Sequence, residues 1–527
     1  MARYDGEDPY NSTANNIFDD DLRDPLSSFT TPDKISPFFH DIEDTDPDVR
    51  PLSLPSGTYT LLPAIERCDN ARLPQGPFGP FWHGRAREER KALKAERERL
   101  EKLKKDKDSG KERDNEEDID ALLATLTLHG GASEEELVPF FVHEGDKKPI
   151  GFLRPAMVRA LLEDNDKAIN KLKMEPCWKI LAYTLPSSSP ASTTDGADEE
   201  GTITTTDGLA IWGICINDWL NEEGKEGRTE HFDRLVRGWH QSGQFNEELK
   251  GWREEMYPIY GPELSPEDKA FNPLPGANHV FDVERAACAL FGFVTFGVHM
   301  TAYVRTPDEQ YKIWVPKRAA TKATWPGYLD NSIAGGITSG DSPLETLIKE
   351  CAEEANLPPT FVRKRARPVG VCSYIYRNKY GWLQPEVEYL YDLEMPPPVE
   401  PTPASGSAEK NEDTAKDLAV TSSAPESVST PTEASTKKIS KADIPSVNEK
   451  GEPCILRPND GEAESFSLMQ TDEILDHIIQ NKFKANCALV LIDFFLRHGL
   501  VTAETDSKYL EISQRLKGSL YPLPGPA

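Results

Sequence analysis

The chain has 527 residues and a formal net charge of −29, from 60 Lys and Arg against 89 Asp and Glu. A chain of this length exceeds what one hydrophobic core organises, so two or three domains are expected. The negative charge argues against a nucleic-acid polymer as the main partner, and no apolar run reaches the roughly 20 residues of a membrane span, which argues against a membrane protein.

Cysteine usage and the amino terminus predict an intracellular location. The eight cysteines occur singly, without a Cys-x-x-Cys pair, which is typical neither of a zinc site nor of a small disulfide scaffold. The first eight residues, MARYDGED, lack both the apolar stretch of a secretory signal and the acid-poor composition of a transit peptide. We therefore expect a cytoplasmic protein, while a Lys- and Arg-rich run beginning at Arg85 leaves a nuclear location open.

The first half of the chain predicts a leader followed by a small domain. Residues 1–56 are rich in Asp, Pro, Ser and Thr without apolar periodicity, so we expect a disordered leader. Residues 57–270 predict an N-terminal α+β domain without a recognisable catalytic motif. Its predicted elements are strands over 137–142 and 178–183 and helices over 155–162, 212–219 and 232–239. The charged insertion 83–130 interleaves Glu with Lys and Arg at helical spacing, which favours a solvated helix or linker.

The second half predicts a catalytic domain over 271–510. The predicted strands cover 293–304, 311–315, 369–376, 386–393 and 462–468. With a helix placed among them, they predict an α/β/α sandwich over a mixed sheet. Residues 396–447 are rich in Pro, Ser, Thr, Ala and Glu with almost no aromatic side chains, so we expect a disordered insertion that interrupts this domain. Residues 511–527 are interpreted as a tail.

One stretch combines a glycine-rich loop with a helix that carries three neighbouring carboxylates. Ser342 and Pro343 are typical of a helix start. An apolar stripe at helical spacing follows, formed by Leu344, Leu347, Ile348, Cys351 and Ala355. Glu350, Glu353 and Glu354 share a different face, where like charges repel one another. A divalent cation such as Mg²⁺ or Mn²⁺ would remove that repulsion, because these ions take oxygen ligands and share them with substrate phosphates.

This stretch resembles the Nudix box. Here Gly335-x5-Asp341-x7-Lys349-Glu350-Cys351-x-Glu353-Glu354-x-Asn356-Leu357 stands where the family has Gly-x5-Glu-x7-Arg-Glu-hydrophobic-x-Glu-Glu-x-Gly-hydrophobic. Asp341, Lys349 and Asn356 depart from the pattern, whereas the three metal-binding glutamate positions are kept. The lead-in 325–336 and the segment 483–499 are similar to the thiamine-pyrophosphokinase-related Nudix proteins of fungi and plants.

The resemblance implies Mg²⁺- or Mn²⁺-dependent hydrolysis of a small organic diphosphate. Damaged thiamine diphosphate analogues, such as oxy- and oxothiamine diphosphate, would be cleaved to monophosphates, with 8-oxo-dGDP as the alternative substrate. Glu350, Glu353 and Glu354 would hold the metal with help from the backbone of Gly335. Lys349 would orient these glutamates by ion pairing, the alternative being ordinary charge balance on the helix surface. Gly336 and Asp341 would support the loop, while Asp341 is equally typical of an acidic residue at a helix start.

The residues themselves leave the other site positions open. Lys317, Arg318 and Lys322 are candidate phosphate contacts or ordinary loop charges, and Trp325 could stack on a substrate ring. The general base is undecided among five carboxylates: Glu353, Glu386, Glu388, Glu462 and Glu464. Strand alternation places Glu386 and Glu388 on one face, toward either the cleft or water.

Two other functional classes are weighed against hydrolysis. A catalytically inactive Nudix fold would bind a metabolite or a partner protein, but none of the metal glutamates is lost. An isomerase such as isopentenyl diphosphate isomerase has the same fold and a similar lead-in, but it needs a protonating Cys that we cannot place in this sequence. The sequence does not indicate an oligomeric state.

Overall fold

The computed structural model describes residues 60–108, 135–185, 203–263, 276–307, 310–322, 324–399 and 447–526. The predicted leader 1–56, nearly all of the predicted insertion 396–447 and residues 109–130 of the charged insertion lie outside these ranges. The described residues fall into two compact units, one containing residues 93–108 and the other containing the rest. The fold and the site described below belong to the second unit.

Two helices precede the first sheet. Helix α1 spans Leu62–Cys68, and α2 spans Pro80–Asp108. In α2 the exposed side chains of Arg85 and Glu89 form an ion pair of 3.1 Å at i,i+4 spacing. This confirms the helical interpretation for the first part of the charged insertion. The predicted domain boundaries stay a prediction.

The first region, residues 138–293, contains a four-stranded sheet, several helices and a hairpin. Its strands are β1 (Val138–Phe141), β2 (Gly151–Leu153), β3 (Trp178–Tyr183) and β4 (Ala210–Ile216), in the order β2-β1-β4-β3. Its helices are α3 (Pro155–Asp166), α4 (Asp218–Glu222), α5 (Gly224–Ser242), α6 (Asn246–Leu249) and α7 (Cys288–Phe291). The antiparallel hairpin pairs β5 (Met256–Tyr260) with β6 (His279–Glu284).

Aromatic side chains form much of the core of the first region. Phe232 of α5 is fully buried and stacks on Phe281 of β6 with ring centroids 4.2 Å apart. The predicted helix over 212–219 was wrong, because Trp212 lies on the strand β4. Residues 210–216 are β-branched at three positions and pair with a strand on each side, which outweighs the helical spacing of the tryptophans.

The second region, from residue 295 onward, contains the larger sheet. Its strands are β7 (Thr295–Arg305), β8 (Tyr311–Arg318), β9 (Ile333–Gly336), β10 (Arg367–Arg377), β11 (Leu383–Glu394) and β12 (Ala463–Gln470). The order is β10-β11-β7-β8-β12, and β9 also pairs with β7. Strands β11 and β7 are parallel whereas the other pairs are antiparallel, so the sheet is mixed as predicted.

Helices cover both faces of this sheet. They are α8 (Pro343–Ala355), α9 (Pro359–Arg365), α10 (Thr471–Ile479), α11 (Ala485–Arg497) and α12 (Tyr509–Leu516). Val298 and Met300 of β7 share one core with Leu347 and Cys351 of α8. A second core lies on the opposite face, where Leu390 of β11 packs with the apolar side chains of α11. This arrangement confirms the predicted sandwich.

Three further findings concern the chain as a whole. All eight cysteines are free and buried. Across the described ranges, no helix is both long and apolar enough to cross a membrane. Part of the stretch interpreted as a tail is packed, because Leu516 of α12 and Leu523 are buried.

Candidate active site

Helix α8 begins and ends where its sequence predicts. The Ser342 hydroxyl accepts a hydrogen bond of 3.3 Å from the backbone N–H of Glu345, and Pro343 occupies the first helical position. Asn356 ends the helix in the left-handed conformation, with φ of 55°, so it takes the place that glycine holds in the family pattern. Leu347 and Cys351 are fully buried, which anchors the apolar stripe of α8 against β7 and leaves the carboxylate face free.

Two of the three clustered glutamates bend back toward the glycine loop. A Cβ atom added to Gly335 would lie 2.4 Å from Cγ of Glu350, so glycine is needed there for the Glu350 side chain to fit. Glu354 accepts a hydrogen bond of 3.3 Å from the backbone N–H of Ala334. Glu353 is exposed. The loop and the helix therefore place the carboxylates of Glu350 and Glu354 beside the end of β9.

The pKa values of two of the clustered glutamates are raised. Burial raises the pKa of Glu350 to about 7, and the carboxylates of Glu353 and Glu462 add to the effect. Burial also raises the pKa of Glu354 well above its usual value, with contributions from Asp330 and Glu350. Like charges gathered in a half-buried place make ionisation of these carboxyl groups costly.

The donor set fits a divalent cation. Glu350, Glu353 and Glu354 offer hard carboxylate oxygens within one helical turn, and the backbone of Gly335 lies against the Glu350 side chain with no Cβ in the way. A bound Mg²⁺ or Mn²⁺ would remove the repulsion that raises the pKa values of Glu350 and Glu354.

A pocket that is open to solvent lies beside the cluster. Its lining residues are Pro316, Arg318, Asp330, Asn331, Ala334, Glu354, Glu462, Ala463 and Phe466. Of the four strand carboxylates proposed as bases, Glu462 alone is in this lining. Glu464 is exposed and pairs with Lys317 at 2.9 Å, and a register shift between Ala463 and Ser465 separates the two glutamates along the chain.

The three predicted phosphate-binding cations are already paired with carboxylates. Arg318 forms a short ion pair with Asp330 inside the pocket. Lys322 contacts Glu462 at 2.7 Å, next to the pocket. Lys317, one position before Arg318 on β8, does not line the pocket, which is consistent with the alternation of side chains along a strand.

Lys349 does not make the ion pair that the sequence predicted. Its side chain is exposed, and no salt bridge joins it to a carboxylate within the described ranges. Its charge acts on Glu350 through the electrostatic field, since it opposes the rise of that pKa caused by burial.

Three predicted residues in and before the glycine loop make different contacts: Asp341, Gly336 and Trp325. Asp341 supports the loop: its carboxylate accepts a hydrogen bond of 2.9 Å from the Thr338 hydroxyl. A Cβ at Gly336 would collide with the buried side chain of Tyr257, so Gly336 is required for a close approach between the loop and the first region. Trp325 packs edge-on against Tyr328 with ring centroids 5.0 Å apart.

Glu386 and Glu388 lie on the other face of the sheet, toward α11. The Tyr374 hydroxyl lies 2.8 Å from Oε1 of Glu388 and makes a short contact with Glu386. Burial and the charge of Glu388 raise the pKa of Glu386. Burial opposes ionisation of Glu388, but His299, 3.5 Å away, and Tyr374 hold its pKa below the usual value. These two carboxyls therefore form a separate buried polar cluster with His299 and Tyr374.

Sequence reasoning missed two contributors to this neighbourhood. Asp330 lines the pocket and binds Arg318, and the only local signal for it was its place in the lead-in before the glycine loop. The hairpin β5–β6 reaches the loop from the first region, where Met256 accepts a hydrogen bond of 2.8 Å from the backbone N–H of Ser339. No motif in residues 253–285 predicted that contact.

Comparison with known proteins agrees with the geometry of the loop and helix. The NUDIX domain model matches residues 295–426. An uncharacterized protein of Saccharomyces cerevisiae is 30% identical over 308 residues, which make up 56% of this chain and 70% of the yeast protein. Nudix hydrolase 20 of Arabidopsis thaliana, named as chloroplastic, is 32% identical over 270 residues, which make up 51% of this chain and 53% of the plant protein. This chain thus spans about half the length of the plant relative.

A solved structure with a similar segment is the bifunctional NMN adenylyltransferase/ADP-ribose pyrophosphatase of Francisella tularensis, in complex with AMP and a Mn ion. It is 11% identical with a TM-score of 0.23, over 39% of this chain and 41% of that protein. The domain match covers the glycine loop and α8, where all three glutamates of the box are present, and the yeast protein is similar over most of its length. The chain therefore contains a NUDIX domain, which includes the glycine loop and α8.

Proposed function

We propose that this protein hydrolyses the diphosphate of a small organic molecule, with damaged thiamine diphosphate analogues such as oxy- and oxothiamine diphosphate as the best substrates. The observation that carries the proposal is the cluster of Glu350, Glu353 and Glu354 beside an open pocket lined by Glu354 and Glu462. Nudix hydrolases generally use divalent metal ions, and we propose Mg²⁺ or Mn²⁺ for this chain. When bound, such an ion neutralises phosphate charge and lowers the pKa of a coordinated water.

The residues of the site have distinct proposed roles. Glu350, Glu353 and Glu354, with backbone oxygen of Gly335, hold the cation. Water attacks the terminal phosphorus, the bond to the bridging oxygen breaks, and the organic monophosphate and inorganic phosphate are released. Glu462 accepts the proton of that water, since it lines the pocket with Glu354 and its lowered pKa keeps it ionised.

Charge favours a diphosphate over a triphosphate. Arg318 and Lys322, the cations at the pocket, are each engaged by a carboxylate. Each additional phosphate group would add negative charge to a neighbourhood that already contains several carboxylates. We therefore propose little activity on triphosphates.

The organic group is where thiamine analogues and 8-oxo-dGDP differ. Both carry a ring that aromatic side chains could stack on, so stacking by Trp325 does not separate them. An acidic protein accommodates a cationic or neutral thiazole-type ring attached to an aminopyrimidine with less electrostatic cost than a polyanion. We propose that the partner of this protein is a small molecule, and that it acts in the cytoplasm without binding a nucleic-acid polymer.

The metal-binding role is tested with Glu353→Gln and Glu354→Gln, which keep side-chain shape and remove charge. We expect turnover of an oxothiamine diphosphate substrate in Mg²⁺ to fall by on the order of 10²-fold, about 3 kcal/mol of barrier. The melting temperature should stay unchanged or rise slightly, because like-charge repulsion is relieved. Near-normal turnover in both variants would favour a non-catalytic binding module.

The proposed base is tested with Glu462→Gln against Glu464→Gln. The two glutamates lie on the same strand segment, but Glu464 is exposed and does not line the pocket. We expect Glu462→Gln to lower kcat by roughly 10²-fold or more and to flatten the acid limb of the pH–rate profile, with Glu464→Gln close to wild type. Equal behaviour of the two variants would exclude Glu462 as the base.

The substrate is tested by direct competition between oxothiamine diphosphate and 8-oxo-dGDP. We expect a higher kcat/KM for the thiamine analogue. A tenfold or greater preference for 8-oxo-dGDP would contradict the thiamine proposal and leave the roles of the glutamates intact.

A further inference from the structure

The glycine loop of the second region is docked on the hairpin β5–β6 of the first region. The backbone N–H of Ser339 donates a hydrogen bond of 2.8 Å to the carbonyl oxygen of Met256. Tyr257 approaches Gly336 so closely that a Cβ there would lie 1.7 Å from the tyrosine oxygen. Two separate contacts thus fix the hairpin beside the loop that holds the carboxylate cluster.

Arg253 lies just before this hairpin, on a backbone that is held in place. Its N–H donates a hydrogen bond of 3.1 Å to Oε1 of Glu284, whose side chain is completely buried. The Arg253 side chain itself is exposed, and its guanidinium has no hydrogen-bond or ion-pair partner among the residues that the structure describes. The backbone is therefore anchored while the charged group is available.

The charge of Arg253 acts on the pocket of the second region. Burial opposes ionisation of Glu462, but its hydrogen bond with Lys322 and the positive charge of Arg253 lower its pKa. This effect agrees with the docking of the hairpin on the glycine loop, and it places Arg253 within electrostatic reach of a carboxylate that lines the pocket.

Four other cations of this neighbourhood are engaged. Arg318, Lys322 and Lys317 are paired with Asp330, Glu462 and Glu464. Arg285, at the end of β6, pairs with Glu255 at 2.8 Å and lies over the Tyr257 ring. A diphosphate that arrives at this acidic pocket needs a cation that can contact its oxygens without first breaking an ion pair, and Arg253 meets that requirement.

We propose that Arg253 of the first region binds the phosphate oxygens of the substrate, so that the first region supplies part of the diphosphate site of the second. The proposal rests on the proposed function and identifies one substrate-binding residue for it. The planar guanidinium suits two phosphate oxygens at once, which a lysine ammonium does not reproduce.

Binding of methylenediphosphonate, a diphosphate analogue that resists hydrolysis, tests the proposal on the full-length protein in Mg²⁺. Isothermal titration would compare wild type with Arg253→Gln, Arg253→Lys and the matched control Arg159→Gln, an exposed arginine on α3 of the same region. We expect Arg253→Gln to weaken binding by roughly tenfold to a hundredfold, the range of a charge-assisted hydrogen bond. Arg253→Lys should lie between Arg253→Gln and wild type, and Arg159→Gln should match wild type.

Two results would overturn the proposal: equal affinity in Arg253→Gln and Arg159→Gln, or no binding of the analogue by wild type. Melting temperatures of all variants should agree, because both arginines are exposed, so that a loss of affinity is not a loss of fold. Should wild type bind the analogue through Arg253 yet cleave no organic diphosphate, the proposed hydrolysis would fail while the role of Arg253 in binding would stand.

Discussion

The two regions of this molecule treat buried polar groups differently. In the first region, the Asn165 side chain is buried and exchanges two hydrogen bonds with the backbone of Trp178, at 2.7 and 3.1 Å. In the second region, Glu350 and Glu354 are gathered beside Glu353 and Glu462, and burial among like charges raises the pKa of both. The buried Asn165 side chain is satisfied locally, whereas the carboxylates on α8 accumulate charge of one sign.

This difference indicates that the charged face of α8 lowers the stability of the folded state and serves the activity of the protein. Like charges at neighbouring helix positions destabilise the folded state, so their assembly on α8 is expected only where a ligand compensates for it. The first region has an aromatic core and contributes a rigid hairpin to the same site. Mutations in the aromatic core of the first region should therefore mainly change stability, and mutations on the charged face of α8 should mainly change activity.

The largest stability effect is expected for Phe232→Ala in the first core. Phe232 is fully buried, stacks on Phe281 at 4.2 Å and meets Trp178 edge-on at 5.4 Å. Its removal leaves a cavity, so the free energy of unfolding should fall by about 3–5 kcal/mol, as for other buried Phe→Ala changes. Urea denaturation measures this loss, and Phe232→Leu should lose clearly less because it refills part of the space.

Turnover per folded molecule tests whether Phe232→Ala, which lowers stability, leaves activity intact. Well below the unfolding midpoint, Phe232→Ala should keep turnover close to wild type, because the ring lies in the first core and not at the carboxylate cluster. A collapse of turnover with little loss of stability would show that the two regions do not divide these tasks.

A smaller effect, confined to acid pH, is expected from His231. Burial, with the nearby charge of Arg234, lowers the pKa of His231 from 6.5 to about 4. Its Nδ1 lies 2.7 Å from the Arg234 guanidinium, and its Nε2 has no hydrogen-bond partner in the part of the chain that the structure describes. The imidazole is therefore neutral in the folded state at neutral pH.

The sign of the effect follows from proton uptake. Between pH 6.5 and pH 4 the unfolded chain binds a proton at His231 that the folded chain does not, so stability falls as the pH falls through this window. The full contribution of His231 to the free energy of unfolding is about 3 kcal/mol. It is present above pH 6.5 and lost by pH 4. Urea denaturation at pH 7, 5.5 and 4.5 should show a shallower pH dependence for His231→Gln than for wild type. Parallel curves would contradict a neutral buried imidazole.

Local signals in the sequence predicted much of the second region and less of its site. The apolar stripe and the start and end of α8 were predicted because each depends on residues a few positions apart. Glu462 and Glu464 could not be separated, since pairing with β8 and a register shift decide which one lines the pocket. The helix predicted around Trp212 failed because the partners of β4 lie far away in the chain. The contact between Met256 and Ser339 was missed for the same reason.

The smallest effect on the free energy of unfolding is expected for substitutions of Ser342, which caps the helix that carries the three glutamates. Its hydroxyl caps α8 by accepting a hydrogen bond from the N–H of Glu345, while the Glu345 carboxylate is engaged by Arg363 at 2.8 Å. Ser342→Ala leaves that N–H without its side-chain partner and should cost about 1 kcal/mol of unfolding free energy. Ser342→Asp restores an acceptor and should be close to wild type.

Thermal melts of Ser342→Ala and Ser342→Asp measure the cap, and turnover in Mg²⁺ measures whether the cap also positions the glutamates. Glu350, Glu353 and Glu354 lie two to three turns beyond Ser342 on a helix whose apolar stripe is held by Leu347 and Cys351. Because packing, not the cap, fixes those turns, turnover of Ser342→Ala should fall by less than about threefold while its stability drops. A loss of activity as large as that of Glu354→Gln would mean that the first turn of α8 sets the geometry of the carboxylates.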